Sequence, residues 1–218
     1  VDGTADEDTE ADTLTSFDSD GFTLGADAND YGLNGDNGNS TVAWSWKAGT
    51  SFTNDASVTG IGSIDSSGSV SDASGFSIVS YTGTGSAGTV AHGLGAVPKM
   101  IIIKSRNTTS LWGVYHQAIG NTHGLFLNAT NAATSLSAYW NNTSPTSSVF
   151  SLGGDADINK SSDPLIAYCF AEKKGYSKFG SYTANNNSDG AYIHLGFKPA
   201  LFICKKSSGT ESWYMNDN

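Results

Sequence analysis

Apolar positions along this chain come in short runs. Residues Phe76, Ile78, Val79 and Tyr81 are interleaved with Ser77 and Ser80, and 99–104 carries Met100 and three consecutive isoleucines. The runs at 41–46, 124–128, 147–152 and 165–170 are of the same kind. Runs of roughly four to eight residues, rich in β-branched and aromatic side chains and bounded by turn formers, predict strands. The turn signals are GTGSAG (83–88), GLGAVPK (93–99), SRNTTS (105–110) and NNTSPTSS (141–148). No stretch carries a capped apolar stripe of helical period and length, and 116–123 has room for one helical turn at most. The pattern predicts an all-β fold, an antiparallel β-sandwich of jelly-roll or lectin-like type.

The pattern also repeats. Ser80-Tyr81-Thr82 recurs as Ser181-Tyr182-Thr183, Leu94-Gly95 as Leu195-Gly196, Pro98 as Pro199, Lys104 as Lys205 and Trp112 as Trp213, always 101 residues on. A second match aligns Phe22 with Phe150, Leu24-Gly25 with Leu152-Gly153, and Val42-Ala43-Trp44 with Ile166-Ala167-Tyr168. Residues 1–49 therefore read as the back half of a unit, 75–174 as a complete β-sandwich unit, and 175–218 as the front half of the next. The stretch 50–74, dense in Ser, Gly and Thr, reads as a linker. Half units at both ends predict a longer parent array, or halves that complete one another within or between chains. Pro98 and Pro199 are expected to open equivalent strands, with 100–103 and 201–204 largely buried.

Composition narrows the class. Ser, Thr, Asn and Gly make up 95 of 218 residues, yet 11% of the chain is aromatic, too much for a disordered segment. The net charge is −10, with eleven acidic residues and no Lys or Arg before Lys47. A chain without a basic patch has nothing to neutralise phosphates, which excludes nucleic acid and disfavours an anionic membrane surface. No apolar run approaches the roughly 20 residues of a membrane span, so no membrane insertion is expected. Cys169 and Cys204 each lie in an apolar run and read as buried free thiols.

Catalytic constellations are scarce. His92, His116, His123 and His194 lack metal-ligand spacing and read as core or turn residues. Gly83-Thr84-Gly85-Ser86 sits in a turn between strands, not in a strand-to-helix nucleophile elbow. Asp155, Asp157, Asp163 and Glu172 are the carboxylates of the complete unit, and they do not all recur in the aligned segment. No enzymatic activity is expected. Asp18 with Asp20, and Asp155 with Asp157, alternate as in a calcium loop but lack a closing Glu, so they are weak calcium candidates and no cofactor is expected. Trp44, Trp46, Trp112, Tyr139, Trp140 and Trp213 are the residues able to stack on sugar rings. Four of them, Tyr139, Trp140, Trp112 and Trp213, are the ligand-binding candidates. Strand alternation would put one of the adjacent pair Tyr139-Trp140 on the surface.

LTSFDSDGFTLG (14–25), TVAWSWKAG (41–49), GFSIVSYTG (75–83), HGLGAVPKMIIIKSR (92–106), YWNNTSPTSSVFSLG (139–153) and IAYCFAEKKGYSKFGSYT (166–183) together resemble the repeated module of marine bacteriophage virion proteins. These are tail-fibre, tail-appendage or other surface structural proteins, often lectin-like. The resemblance implies a β-sandwich, a location on the virion surface or outside the cell, and a structural or host-adhesion role. It implies as partners other copies of the chain, other virion proteins and a host cell-surface glycan. It transfers no catalytic or ligand residue. A secreted bacterial glycan-binding module and a self-assembling extracellular filament subunit are the alternatives.

Overall fold

The computed structural model describes residues 3–29, 32–34, 38 and 40–217. They divide into two units, Val1–Asp6 with Trp46–Asn218, and Glu7–Ser45.

In the smaller unit β1 (Leu14–Phe17) and β2 (Phe22–Leu24) pair antiparallel. Asp18 sets the turn between them, its carboxylate accepting the hydroxyls of Thr23 at 2.7 Å and Ser16 at 2.9 Å. Those hydroxyls hold its carboxyl below the usual range. Asp27 is buried with φ +52° and accepts the backbone N–H groups of Leu33 and Asn34 at 2.8 and 2.9 Å.

The larger unit begins with β3 (Thr50–Asn54), α1 (Ala56–Thr59), β4 (Ser66–Ser71), β5 (Phe76–Thr82) and β6 (Gly88–Ala91). Next come β7 (Pro98–Ser105), β8 (Gly113–His116), β9 (His123–Phe126), β10 (Thr134–Ser135) and α2 (Ser137–Trp140). β11 (Val149–Leu152), α3 (Ala156–Asn159), β12 (Pro164–Ala171), β13 (Leu201–Lys205) and β14 (Trp213–Asp217) complete it. Eight strands form one antiparallel sheet in the order β10-β9-β8-β7-β12-β5-β4-β3, while β6 with β11 and β13 with β14 form two-stranded ribbons. The regular structure among the described residues is thus mostly β, with three helices of four residues each.

β12, the last strand of the eight in sequence, lies at the centre. Its Ala167 faces Val79 of β5 on one side and Ile103 of β7 on the other. Continuing the pairing outward gives one row across the sheet: Phe52, Gly68, Val79, Ala167, Ile103, Gly113 and Phe126. Successive strand residues face opposite ways, so this row and its i±2 neighbours form a single face. That face and Val90, Phe150, Leu152, Ile158, Tyr139 and Trp140 form the hydrophobic core. Small residues in the row make room for large ones above it. A Cβ on Gly113 would lie 2.8 Å from Ile158 Cγ2 and 2.9 Å from Tyr139 Cε1. The rings pack edge to face, Tyr81 on Phe150 at 6.0 Å and Tyr115 on Trp140 at 5.6 Å. On the opposite face Phe170 packs on Phe76 at 4.9 Å, with Trp46 against both and Phe179 against Phe170.

Two expectations change. Residues 50–74 are no linker: they supply β3 and β4, which pair in register with each other and with β5. Both strands belong to the same sheet as those of 75–174. The short helices lie at 56–59, 137–140 and 156–159, and 116–123, with room for one turn at most, holds none. Of the two free thiols Cys169 is buried and Cys204 half-buried. Burial pushes the Cys169 thiol up to about 12.

The repeat is visible in the hydrogen bonding. In β7–β8 the partners are Met100 with His116, Ile101 with Tyr115, Ile102 with Val114 and Ile103 with Gly113. In β13–β14 they are Leu201 with Asp217, Phe202 with Asn216, Ile203 with Met215 and Cys204 with Tyr214. Every pair is displaced by 101 residues on both strands. Pro98 opens β7, and Pro199 precedes β13 by two residues. Burial differs, however: Ile101 and Ile103 are fully buried, whereas Phe202 and Ile203 are exposed.

Two outcomes follow for stability. Gly113→Ala is expected to cost about 1–3 kcal/mol through overpacking, read from urea unfolding midpoints. His92 is buried, with Nδ1 accepting the Leu94 N–H at 3.2 Å and Nε2 3.2 Å from the Thr146 carbonyl, a fit for the neutral ring alone. Burial lowers its pKa. The unfolded ring takes up a proton near 6.5 and the folded ring at lower pH, so His92 withdraws stability as pH falls below about 6.5. Unfolding midpoints of His92→Gln and the parent across pH 7.5 to 5 should show a shallower loss for the variant, and equal slopes would contradict it.

Candidate functional site: the tryptophan turns

Tyr139 and Trp140 do not form a surface platform. Each is about 1% exposed. They stand on α2, where neighbouring residues diverge by about 100°, so both reach the core without the opposition that strand alternation imposes. Their polar atoms are satisfied inside. The Tyr139 hydroxyl donates to Asp157 Oδ2 at 2.6 Å, and the Trp140 indole donates to the His123 carbonyl at 3.1 Å. Burial and the adjacent Asp157 carboxylate push the Tyr139 hydroxyl far above its ordinary value.

Three of the four calcium candidates have structural work. Asp155 caps α3, accepting the Asp157 N–H at 2.9 Å. Asp157 accepts the Leu111 N–H through Oδ1 and Tyr139 through Oδ2, tying β8's approach to the core. Asp18 sets the β1–β2 turn, and Asp20 is exposed in it. Among the described residues no three His, Cys, Asp or Glu side chains converge as a metal site. Glu172, half-buried, pairs with Lys178 at 2.7 Å. Trp44 is 38% exposed, and Trp46 lies against Phe76 and Phe170.

Trp112 and Trp213 stand at equivalent places, each closing the turn that leads from the first strand of a hairpin to the second. Both indoles donate to carbonyls far away in sequence, Trp112 to Gly3 at 3.2 Å and Trp213 to Phe126 at 2.8 Å. The turn before Trp112 is built around a cation. Lys104, 5% exposed, donates to the carbonyls of Ser105 at 2.9 Å and Thr108 at 3.3 Å and to Ser110 Oγ at 3.1 Å. Burial lowers its pKa, while Asp6, Asp157 and Asp163 oppose that shift. Asp163, at the approach to β12, accepts the hydroxyls of Ser105 at 2.5 Å and Thr108 at 2.8 Å. Lys205, 101 residues on, donates instead to the carbonyls of Thr130 at 3.2 Å and Lys206 at 2.9 Å. The sequence pattern marked Asp157 only as a weak calcium candidate, and it marked neither Asp163 nor the two lysines as ligands. The recurrence of Lys104 as Lys205 is the one signal in it that points to them.

The four aromatic candidates therefore fall into two groups. Tyr139 and Trp140 are core, and Trp112 and Trp213 are half-buried anchors of turns. The molecule is an antiparallel all-β protein that carries one hairpin twice. It belongs to the family described as "Domain of unknown function (DUF7483)", whose model matches residues 1–218. No curated protein and no solved structure matches the chain.

Removing the Tyr139 hydroxyl strips a partner from a carboxylate inside the fold. Tyr139→Phe should cost about 1–3 kcal/mol by thermal or chemical unfolding. Replacing both partners, as Tyr139→Phe with Asp157→Asn, should cost less than the sum of the single changes. Strict additivity would show that the bond does not couple them.

Proposed function

We propose that this chain is a non-enzymatic structural module of a virion surface appendage, such as a tail fibre, assembled from repeats joined in series. The observation that carries the reading is the hairpin β7–β8 recurring as β13–β14 in identical register 101 residues later. A unit that recurs along one chain with its pairing intact is the building block of an array, in which each repeat contacts its neighbours. The eight-stranded sheet, with the β6–β11 ribbon over its apolar face, is read as the sheets of a lectin-like sandwich. The motifs that resemble the marine bacteriophage module supply the virion location. Construction, not sugar binding by the four aromatic candidates, is the function the geometry favours, because those residues are committed to the core and to turns. No described helix is long and apolar enough to cross a membrane.

Antibody raised against residues 50–174 should label an appendage of intact particles in negative-stain micrographs. Label confined to particle-free fractions would overturn the virion reading.

A further inference from the structure

We propose that the turn ending in Trp112 or Trp213 is the joint by which each repeat grips the preceding copy of the module, and that the loop at 126–133 is the surface it grips. The inference rests on the tandem-repeat reading and adds the contact surface to it. In the complete unit Ser110 donates its backbone N–H to the Thr4 carbonyl at 2.9 Å, and the Trp112 indole donates to Gly3. In the following half unit Glu211 donates its backbone N–H to the Thr130 carbonyl at 2.9 Å, and the Trp213 indole donates to Phe126. Lys205 reaches the same Thr130 carbonyl, and Ala133 returns a bond to the Ser207 carbonyl at 2.8 Å.

The donors are equivalent: Ser110 and Glu211 are 101 residues apart, as are Trp112 and Trp213. The backbone acceptors Thr4 and Thr130 are 126 apart. That second spacing is fixed by independent contacts elsewhere. Gly25 donates to Thr13 and Asp27 to Asp12, while Gly153 donates to Tyr139 and Asp155 to Ala138. Thr13 to Tyr139 and Asp12 to Ala138 are again steps of 126. A Cβ on Gly25 would meet the Asp12 carbonyl, as one on Gly153 would meet that of Ala138. Thr4, Asp12 and Thr13 thus accept as Thr130, Ala138 and Tyr139 do, and Thr4 is taken as the counterpart of Thr130. The same backbone donor position reaches the same backbone acceptor position twice, each time from one repeat to the one before it, while the indole acceptors Gly3 and Phe126 are 123 apart and out of that register.

The joint is carried by main-chain groups together with one indole, and at the second joint the Lys205 ammonium joins them, whereas Lys104 bonds within its own turn. Ser110 and Glu211 differ in size and charge, yet their N–H groups do the same thing. Tryptophan is a residue type that concentrates binding energy at interfaces, through apolar area joined to a directed donor.

Hydrogen exchange of the full chain, followed by mass spectrometry, tests the joint. In the parent, peptides spanning 199–217 should exchange slowly. Trp213→Ala should speed them by roughly tenfold or more while peptides spanning 98–116 and 164–171 keep their protection. Trp213→Phe, which keeps a ring but loses the donor, should fall between. If 199–217 is equally protected in the parent and both variants, or unprotected in the parent, the joint is refuted. Antibody labelling reports separately: a protected hairpin without labelled particles removes the virion location and leaves the joint standing.

Discussion

Much of this structure depends on β12 having two partners. It is hydrogen-bonded along both edges, to β5 and to β7, and its Leu165, Ala167 and Cys169 are fully buried. Neither β5 nor β7 pairs with the other, so the halves of the eight-stranded sheet are joined only through this strand. Where no β12 counterpart is paired, the surrounding elements do not form. Residues 178–183, equivalent to much of β5, are irregular although Ser181-Tyr182-Thr183 repeats the β5 sequence. Residues 41–46, which align with β12 itself, are irregular as well. A hairpin, by contrast, needs only its own two strands, and β13–β14 forms with the register of β7–β8. Strand propensity is thus a statement about fitting a sheet that exists, not about the segment alone.

Period two and the constant spacing of 101 make the strands and the repeat legible from the order of residues alone. The strand next to the sheet's edge is not legible in that way. β4 reads Ser-Ser-Gly-Ser-Val-Ser, whose outward positions are serine and whose inward row holds Gly68, so the apolar signal is thin. Its place is secured by backbone pairing on both sides, which composition does not report. Gly68 is needed because a Cβ there would collide with the Ile78 carbonyl. Tyr139 and Trp140 elude a strand-based reading for the opposite reason. Their apolar character is evident, but the single helical turn that lets both point inward has no capping signature: Leu136 stands at the N-cap without a side-chain bond. The carboxylates Asp155, Asp157 and Asp163 are visible as residues, while their work as helix cap, core acceptor and turn lock depends on contacts tens of residues apart for the last two.

Polar residues inside this protein organise loops more than they serve an exposed cleft. Asp163 and Lys104 secure the approach to Trp112, and His92 and Asn159 tie loops to the core, Asn159 donating to the carbonyls of Gly153 at 2.6 Å and Ser86 at 2.7 Å. Each of these four side chains is matched by a partner, as buried polar atoms require. The abundance of Ser, Thr and Asn serves the same end, because small side chains that bond their own backbone can shape tight turns without large charge.

The alternation of Ser110 and Glu211 at one donor position bears on how such a molecule changes length. A coupling made by peptide groups is indifferent to most substitutions at the coupled residues, so its geometry survives drift in the side chains. On the tandem-repeat reading proposed above, whole repeats could be gained or lost without a new interface, and length would become a variable separate from chemistry.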